Sequence, residues 1–221
     1  MRDSRGKNLF SRESQAYVNR MNTSQRGLGL RCPDDDFIHA IVDLHRRPAL
    51  SYSEIGWTSR SECPVGFATN QSNAVIGNGE HDFLRAKAAI QNYDMLRLGW
   101  MQPAGDNDPI VVGSMVCTLS RKLMVYSLNV NRVVYVDDQV SNRFGFGFGT
   151  TAHHLIIGEE RFTVSIDEST GDVTYEIFSF SRPDQLFFRL ALPWFRHLQR
   201  VFCHDSTDAM RAACQHGPTL R

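Results

Sequence analysis

His153 and His154, Glu159 and Glu160, and Glu176 are the side chains of this sequence whose types and spacing could do chemistry. A histidine can act as a general base near neutral pH, and a carboxylate can orient it. His154 with Glu159, Glu160 or Glu176 is therefore a candidate catalytic set for a hydrolase or isomerase. The competing reading is a hydrogen-bonded structural histidine and a paired, buried carboxylate, the usual state of buried polar groups. Neighbouring residues on a strand point to opposite faces. His153 and His154 thus make poor joint ligands for one ion, as do Glu159 and Glu160. No third ligand stands at a supporting spacing, so neither a metal site nor a cofactor is expected. No serine sits in a nucleophile-elbow context. The cysteines, Cys32, Cys63, Cys117, Cys203 and Cys214, are odd in number and form no CxxC pair. That pattern predicts free thiols in a reducing compartment.

The run that carries most of these groups reads FGFGFGTTAHHLIIGEERFTV, from Phe144 to Val164. Gly145, Gly147 and Gly149 alternate strictly with Phe144, Phe146 and Phe148. A dinucleotide fingerprint needs a different spacing between a strand and a helix, and no Lys-Ser or Lys-Thr follows to make a phosphate loop. Period two predicts a strand. The phenylalanines then share one face, and the glycines leave the other face bare. Glycine inside a strand often marks a close approach by something else. Two occupants stand open: the C-terminal helix around Trp194 to Phe202, or a ligand in the same space.

The elements that must position these groups follow from the pattern along the chain. Residues 1 to 33 are rich in Arg, Ser, Asn and Gly and read as a mobile arm. PDDDFIHAIVDLHRRP follows, with an acidic start, a basic end, and Phe37, Ile38, Ile41 and Leu44 at helical spacing. It predicts a short docked helix stopped by Pro48. An extended segment, VGFATNQSNAVIGNG, precedes a helix whose stripe is Phe83, Ala86, Ile90 and Tyr93 and which ends at Gly99. MQPAGDNDPI is a loop. Strand-like runs then come in quick succession, the last two joined by DESTGD with Gly171 suited to positive φ. A long C-terminal helix closes the chain, with Leu186, Leu190, Trp194, Leu198, Val201 and Phe202 at helical spacing and Pro193 as a kink or a split. Short connections make the sheet antiparallel. The fold class is α+β: a curved antiparallel sheet gripping a long C-terminal helix, an architecture that commonly encloses a cavity. The boundaries are an arm over 1–49, a single domain over 50–214 and a tail over 215–221.

Composition narrows the function classes. Lys and Arg (24) balance Asp and Glu (24), so the basic excess typical of nucleic-acid binders is absent and no nucleic-acid partner is expected. The N-terminus lacks the apolar core of a signal peptide. No run is long and apolar enough for a membrane-spanning helix. A cytoplasmic protein is the expectation.

Several motifs together resemble a known family, the domain of unknown function nineteen-ninety. LSYSEIGWTS resembles its Leu-Thr-Tyr-x-Glu-x-Gly opening, and VIGNGEHDFLRAKAAIQNYDMLRLGW its Gly-rich turn into a helix. VVYVDD, FGFGTTAHHLIIGEERFTV, VTYEIFSFSRP and LQRVFCHDSTDAM complete the match, over residues 50 to about 213. The resemblance picks out Gly149, Thr150, His154, Gly158, Glu159, Glu160, Phe162, Glu176, Ser179 and Pro183, and departs at His153, where the family commonly has Gly. It transfers no activity. A fainter similarity, in strand order and closing helix, runs to the START-like helix-grip superfamily, which mostly binds apolar small molecules. It implies an apolar or amphipathic small molecule between sheet and helix, with Gly145, Gly147, Gly149, Thr150, His154, Tyr175 and Trp194 as its lining. A third function class rests on Arg189, Arg196 and Arg200 along the closing helix, with His197 and His204 nearby. Such a stripe can meet an anionic membrane surface or an acidic partner.

Overall fold

A computed structural model describes residues 28–106, 108–122, 124–152, 154, 156–183 and 192–217, without the side chains of residues 192–195. Expectations for residues 1–27, for His153, Leu186, Arg189 and Leu190, and for the Trp194 side chain lie outside these described residues. The elements in chain order are β1 (Leu28–Gly29), α1 (Asp35–His45), a 3-10 turn (Trp57–Arg60), β2 (Ala68–Asn78), α2 (Glu80–Gln91) and a second 3-10 turn (Asp94–Leu96). Then come β3 (Met101–Pro103), β4 (Met115–Lys122), β5 (Val125–Asp137), β6 (Arg143–Thr150), β7 (Ile156–Ile166), β8 (Asp172–Pro183) and α3 (Leu192–His216).

The strands form one antiparallel sheet in the order β2-β8-β7-β6-β5-β4-β3, with β1 paired to β5. From β3 to β8 each strand pairs with its sequence neighbour, as the short connections predict. The β7–β8 turn has Gly171 at φ +77°, the left-handed conformation that glycine adopts without a Cβ penalty.

Side-chain alternation gives the sheet two unlike faces. On the inner face Phe144, Phe146, Phe148, Phe162, Val164, Tyr175 and Ile177 pack with Phe83, Ala86 and Ile90 of α2 and Phe202 and Met210 of α3 in one core. On the outer face α1 lays Phe37, Ile38, Ile41 and Val42 over Met115, Cys117, Leu119, Leu128 and Val130 of β4 and β5. Asp34 caps α1 by accepting the Phe37 N–H at 2.8 Å. Arg132 closes its other end by donating to the His45 carbonyl at 2.8 Å and the Pro48 carbonyl at 2.5 Å.

Three sequence expectations shift. Residues 28–29 pair with β5 as a short strand within the expected arm, Met101 to Pro103 are a strand where a loop is expected, and α2 ends at Gln91, short of the expected Gly99. The closing helix runs two residues past 214, and Pro193 lies in the first turn of its described span, where a missing N–H costs little. The third shift concerns the glycines. The phenylalanine stripe faces the helices, so period two sends Gly145, Gly147 and Gly149 to the outer face, away from α3.

Tyrosines fill the bare outer face. A Cβ on Gly147 would meet Tyr135 Cε1 at 2.4 Å, and one on Gly149 would meet Tyr52 Oη at 2.1 Å. Both rings are themselves tethered: Tyr52 donates to Glu159 Oε2 at 2.6 Å, and Tyr135 Oη bonds Thr58 Oγ1 at 2.8 Å. Gly147→Val is therefore expected to displace the Tyr135 ring and destabilise the fold by about 1–3 kcal/mol, as overpacking does. A thermal melt should show a drop of several degrees. Because the glycine face is the outer one, an apolar probe bound on the inner side should keep its affinity in the folded variant; lost probe binding at unchanged stability would refute this placement.

Candidate functional site

Between the inner face of the sheet and α3 lies a cavity of about 550 Å³. Its strand side is polar: Thr118 and Ser120 from β4, Ser127, Asn129 and Asn131 from β5, and Ser179 and Ser181 from β8 are neutral, and Lys122 stands at the β4 end. The β4 and β5 residues are cross-strand neighbours, Thr118 opposite Asn129 and Ser120 opposite Ser127. Asn131 holds a buried Oδ1 that has no hydrogen-bond partner among the described residues. The other side is apolar, from Leu96, Trp100 and Met101 to Leu198 and Phe202. Trp100 is fixed by donating from Nε1 to Asp205 Oδ2 at 2.7 Å, and Gln199 of α3 donates to Ser181 Oγ at 2.9 Å. Leu28 of β1 adds a wall from outside the expected domain.

The candidate residues separate by face. Glu159 turns outward, and its carboxylate accepts from Tyr52 Oη (2.6 Å), Gly56 N (2.7 Å), Thr58 N (2.9 Å) and Thr58 Oγ1 (2.5 Å). Glu176 is outward as well, paired with buried Arg161 at 2.5 Å. Arg161 also donates to the Thr58 carbonyl at 2.8 Å and Ser61 Oγ at 3.2 Å. Glu159 is thus committed to the loop over residues 52–61 and Glu176 to Arg161, and neither joins His154.

Glu160 turns inward. It lines the cavity, opposite Phe148 on β6 and Ser179 on β8. Burial pushes its carboxyl up to about 8, and no cation or hydrogen-bond donor among the described residues opposes that shift. His154 lines the same cavity. Its Nδ1 accepts the Ile156 N–H at 3.0 Å, so the neutral ring carries its proton on Nε2. Burial lowers its pKa to about 4. His154 therefore offers a donor and no free lone pair at neutral pH, which does not suit the general-base role that its sequence context suggests.

Of the expected ligand-binding residues, Thr150 and His154 line the cavity. Thr150 Oγ1 also staples β6 to β7, accepting the Gly158 N–H at 3.0 Å and donating to the Gly158 carbonyl at 3.2 Å. Gly145, Gly147 and Gly149 are on the far face. Tyr175 is buried in the core with its hydroxyl on Ser206 Oγ at 2.8 Å. The neutral β4–β5 lining has a signal in the sequence: small polar residues at period two, alternating with Cys117, Leu119, Leu128 and Val130. Such a strand normally turns its polar face to water; here α1 covers the apolar face and the polar one lines the cavity. On α3, Arg196, His197, Arg200 and His204 are exposed. Asp205 and Asp208 lie 3.3 and 3.4 Å from His204, and Asp208 also pairs with Arg211 at 2.8 Å, which dilutes a basic stripe. No group of His, Cys, Asp or Glu suited to a metal ion occurs among the described residues, nor does a helix long and apolar enough to cross a membrane.

The adjacent glutamates should respond oppositely to neutralisation. Glu159→Gln turns an amide NH2 towards two of these donors and should cost roughly 2–6 kcal/mol, at about 1–3 kcal/mol per unmet group. For Glu160 the folded pKa lies above the unfolded one. Its stabilising contribution is complete below pH 4.5 and is lost as pH rises through about 8. His154 works in the other sense, losing stability as pH falls from 6.5 towards 4, so the difference between variant and wild type isolates Glu160. Denaturant midpoints should show Glu160→Gln near wild type at about pH 4.5 and above it, by an amount on the order of a few kcal/mol, past pH 8. A destabilised Glu160→Gln beside a neutral Glu159→Gln would reverse the two assignments.

The chain is similar in sequence to proteins of other organisms. A UPF0548 protein of Arabidopsis thaliana is 32% identical over 152 residues, which is 66% of this chain and 72% of that protein. A UPF0548 protein of Deinococcus radiodurans is 35% identical over 181 residues, 77% of this chain and 90% of its own. Among solved structures, Ara h 8.0201 aligns with a TM-score of 0.44 at 9% identity, over 68% of this chain and 99% of that one. The family model described as "Domain of unknown function (DUF1990)" matches residues 51–209, from the Tyr52 loop through most of α3. The chain belongs to that family.

Proposed function

We propose that this protein binds an amphipathic small molecule in the cavity between the sheet and α3. The observation that carries the reading is the cavity itself, about 550 Å³ with one polar and one apolar side. That volume falls in the range of small-molecule sites, which typically span about 300–1,000 Å³. A ligand with an apolar body would bury it against Leu96, Trp100, Leu198 and Phe202. Its hydroxyl, carbonyl or amide groups would meet Thr118, Ser120, Ser127 and Asn129, which can donate and accept. Those neutral groups select by hydrogen bonding, because a buried polar atom left unmatched on either partner costs affinity.

A catalytic role draws less support. His154 spends its Nδ1 on Ile156, and Glu159 and Glu176 are engaged on the other face. That leaves Glu160 as the inward-facing carboxyl, with no second group among the described residues hydrogen-bonded to it that could pass on a proton.

Filling the cavity tests the reading. Ser120 points into it from β4 and is half-buried, so Ser120→Trp should occupy ligand space without disturbing the outer layer. The expected result is a loss of about tenfold or more in affinity for a fluorescent apolar probe, with a melting temperature within a few degrees of wild type. Native mass spectrometry of protein purified from its own source should show a bound small molecule that Ser120→Trp lacks. Probe affinity unchanged by the tryptophan would refute this cavity as the binding site.

A further inference from the structure

The cavity wall holds an inward-facing carboxyl group, half-buried, that has no partner among the described residues. Glu160 lies on the inner face of β7, between Phe148 of β6 and Ser179 of β8. Tyr175, which lies close enough to feel its charge, has its hydroxyl on Ser206. Cys203, the other neighbour that feels that charge, is a thiol against which Asn70 Nδ2 lies at 3.1 Å. The remaining polar lining of the strands is neutral. Lys122 stands over the Trp100 ring, 4.1 Å from its centroid, at the β4 end of the cavity, and it is not among the groups acting on Glu160. His154 is held neutral by burial, and its Nδ1 is occupied by the Ile156 N–H.

A buried carboxylate without a counter-charge is costly, and removing one partner of a buried ion pair is among the most damaging changes a protein tolerates. Glu160 has the form of half of such a pair. We propose that the cavity takes an amphipathic ligand bearing a basic nitrogen, with the Glu160 carboxylate as the partner of that nitrogen. This rests on the cavity-binding reading above and names the class of molecule bound. An ammonium group would make charge-assisted hydrogen bonds to the carboxylate, roughly twice as strong as those of a neutral alcohol. The faces of Phe148 and Phe202, both in the cavity wall, add attraction for a cation and none for an anion. A ligand carboxylate would place a second acid beside Glu160, so that one of the two must stay protonated, and should be the poorest fit.

Three probes with one tail separate these cases. Dodecylamine, dodecanol and dodecanoate are titrated at pH 7, below their micelle concentrations, into wild type, Glu160→Gln and Glu160→Asp. Dodecylamine is expected to bind wild type at least about tenfold more tightly than dodecanol, with dodecanoate weakest. Glu160→Gln should abolish the advantage of the amine while leaving dodecanol within about twofold, a control for both folding and cavity volume. Glu160→Asp should keep part of the amine preference. Equal affinity for amine and alcohol in wild type, or an amine preference that survives Glu160→Gln, overturns the assignment while the cavity reading stands. If none of the three probes binds wild type, the cavity reading itself fails and the assignment falls with it.

Discussion

Glu159 gathers its hydrogen bonds from residues 52, 56 and 58, all from one loop on the outer face. Much of the structure depends on that carboxylate. The loop has little apolar content of its own, so a set of donors converging on a buried anion is what holds it down. Hydrogen bonds to a charged acceptor are worth more than neutral ones, about 1.5–3 kcal/mol each before the cost of burying the charge. Two neighbours complete the arrangement. Arg161 takes the Thr58 carbonyl from the same strand, and Tyr135 takes the Thr58 hydroxyl from β5. Thr58 is fully buried as a result. A polar network this complete fixes one geometry rather than adding bulk stability.

With the loop in place, the glycines of β6 acquire their reason. Tyr52 and Tyr135 lie flat against a strand that offers no Cβ, and the outer layer closes without a helix over β6. The inner face is thereby free of any duty to cover its own back. Its phenylalanines meet α2 and α3 along β6, β7 and β8, and the core there is dry and close-packed. Towards β4 and β5 the inner face is lined by hydroxyls and amides, and among the described residues no helix fills the space. The apolar side chains of those two strands point outward instead, under α1. The cavity thus follows from a change of polarity across a single sheet, with each half covered on the face that is apolar.

Some of this was legible in the residues. FGFGFG reads as a strand from its period, and the order of strands and closing helix follows from run lengths and turns. Alternation also places Glu159 and Glu160 on opposite faces. It cannot say which face is inner, because period two distinguishes the faces without naming their neighbours. The glycines were expected opposite the helix for that reason. What decides the matter is long-range: the donors for Glu159 lie about a hundred positions away, within the motif beginning at Leu50 that marks the family resemblance. β1 and β3 were illegible because two or three residues carry no pattern. The hydroxyl-lined wall has a period-two signal in β4 and β5, but alternation alone does not show that α1 covers the apolar side, because that helix lies far earlier in the chain.

The neighbouring glutamates divide the labour of the domain. One carboxylate accepts from Tyr52, Gly56 and Thr58 and fixes the outer layer. The other is desolvated, unpartnered and held partly neutral by burial, so it weakens the empty fold as pH rises. A side chain that costs stability in the free protein persists only where the surrounding structure can carry it, and such positions concentrate at binding sites. The Glu159 network is what carries it here: it anchors β7 from the outside, one residue away, against any tendency of Glu160 to pull the strand towards water. Binding a partner for Glu160 would remove that cost, so occupancy of the cavity and stability of the fold are linked through one strand of the sheet.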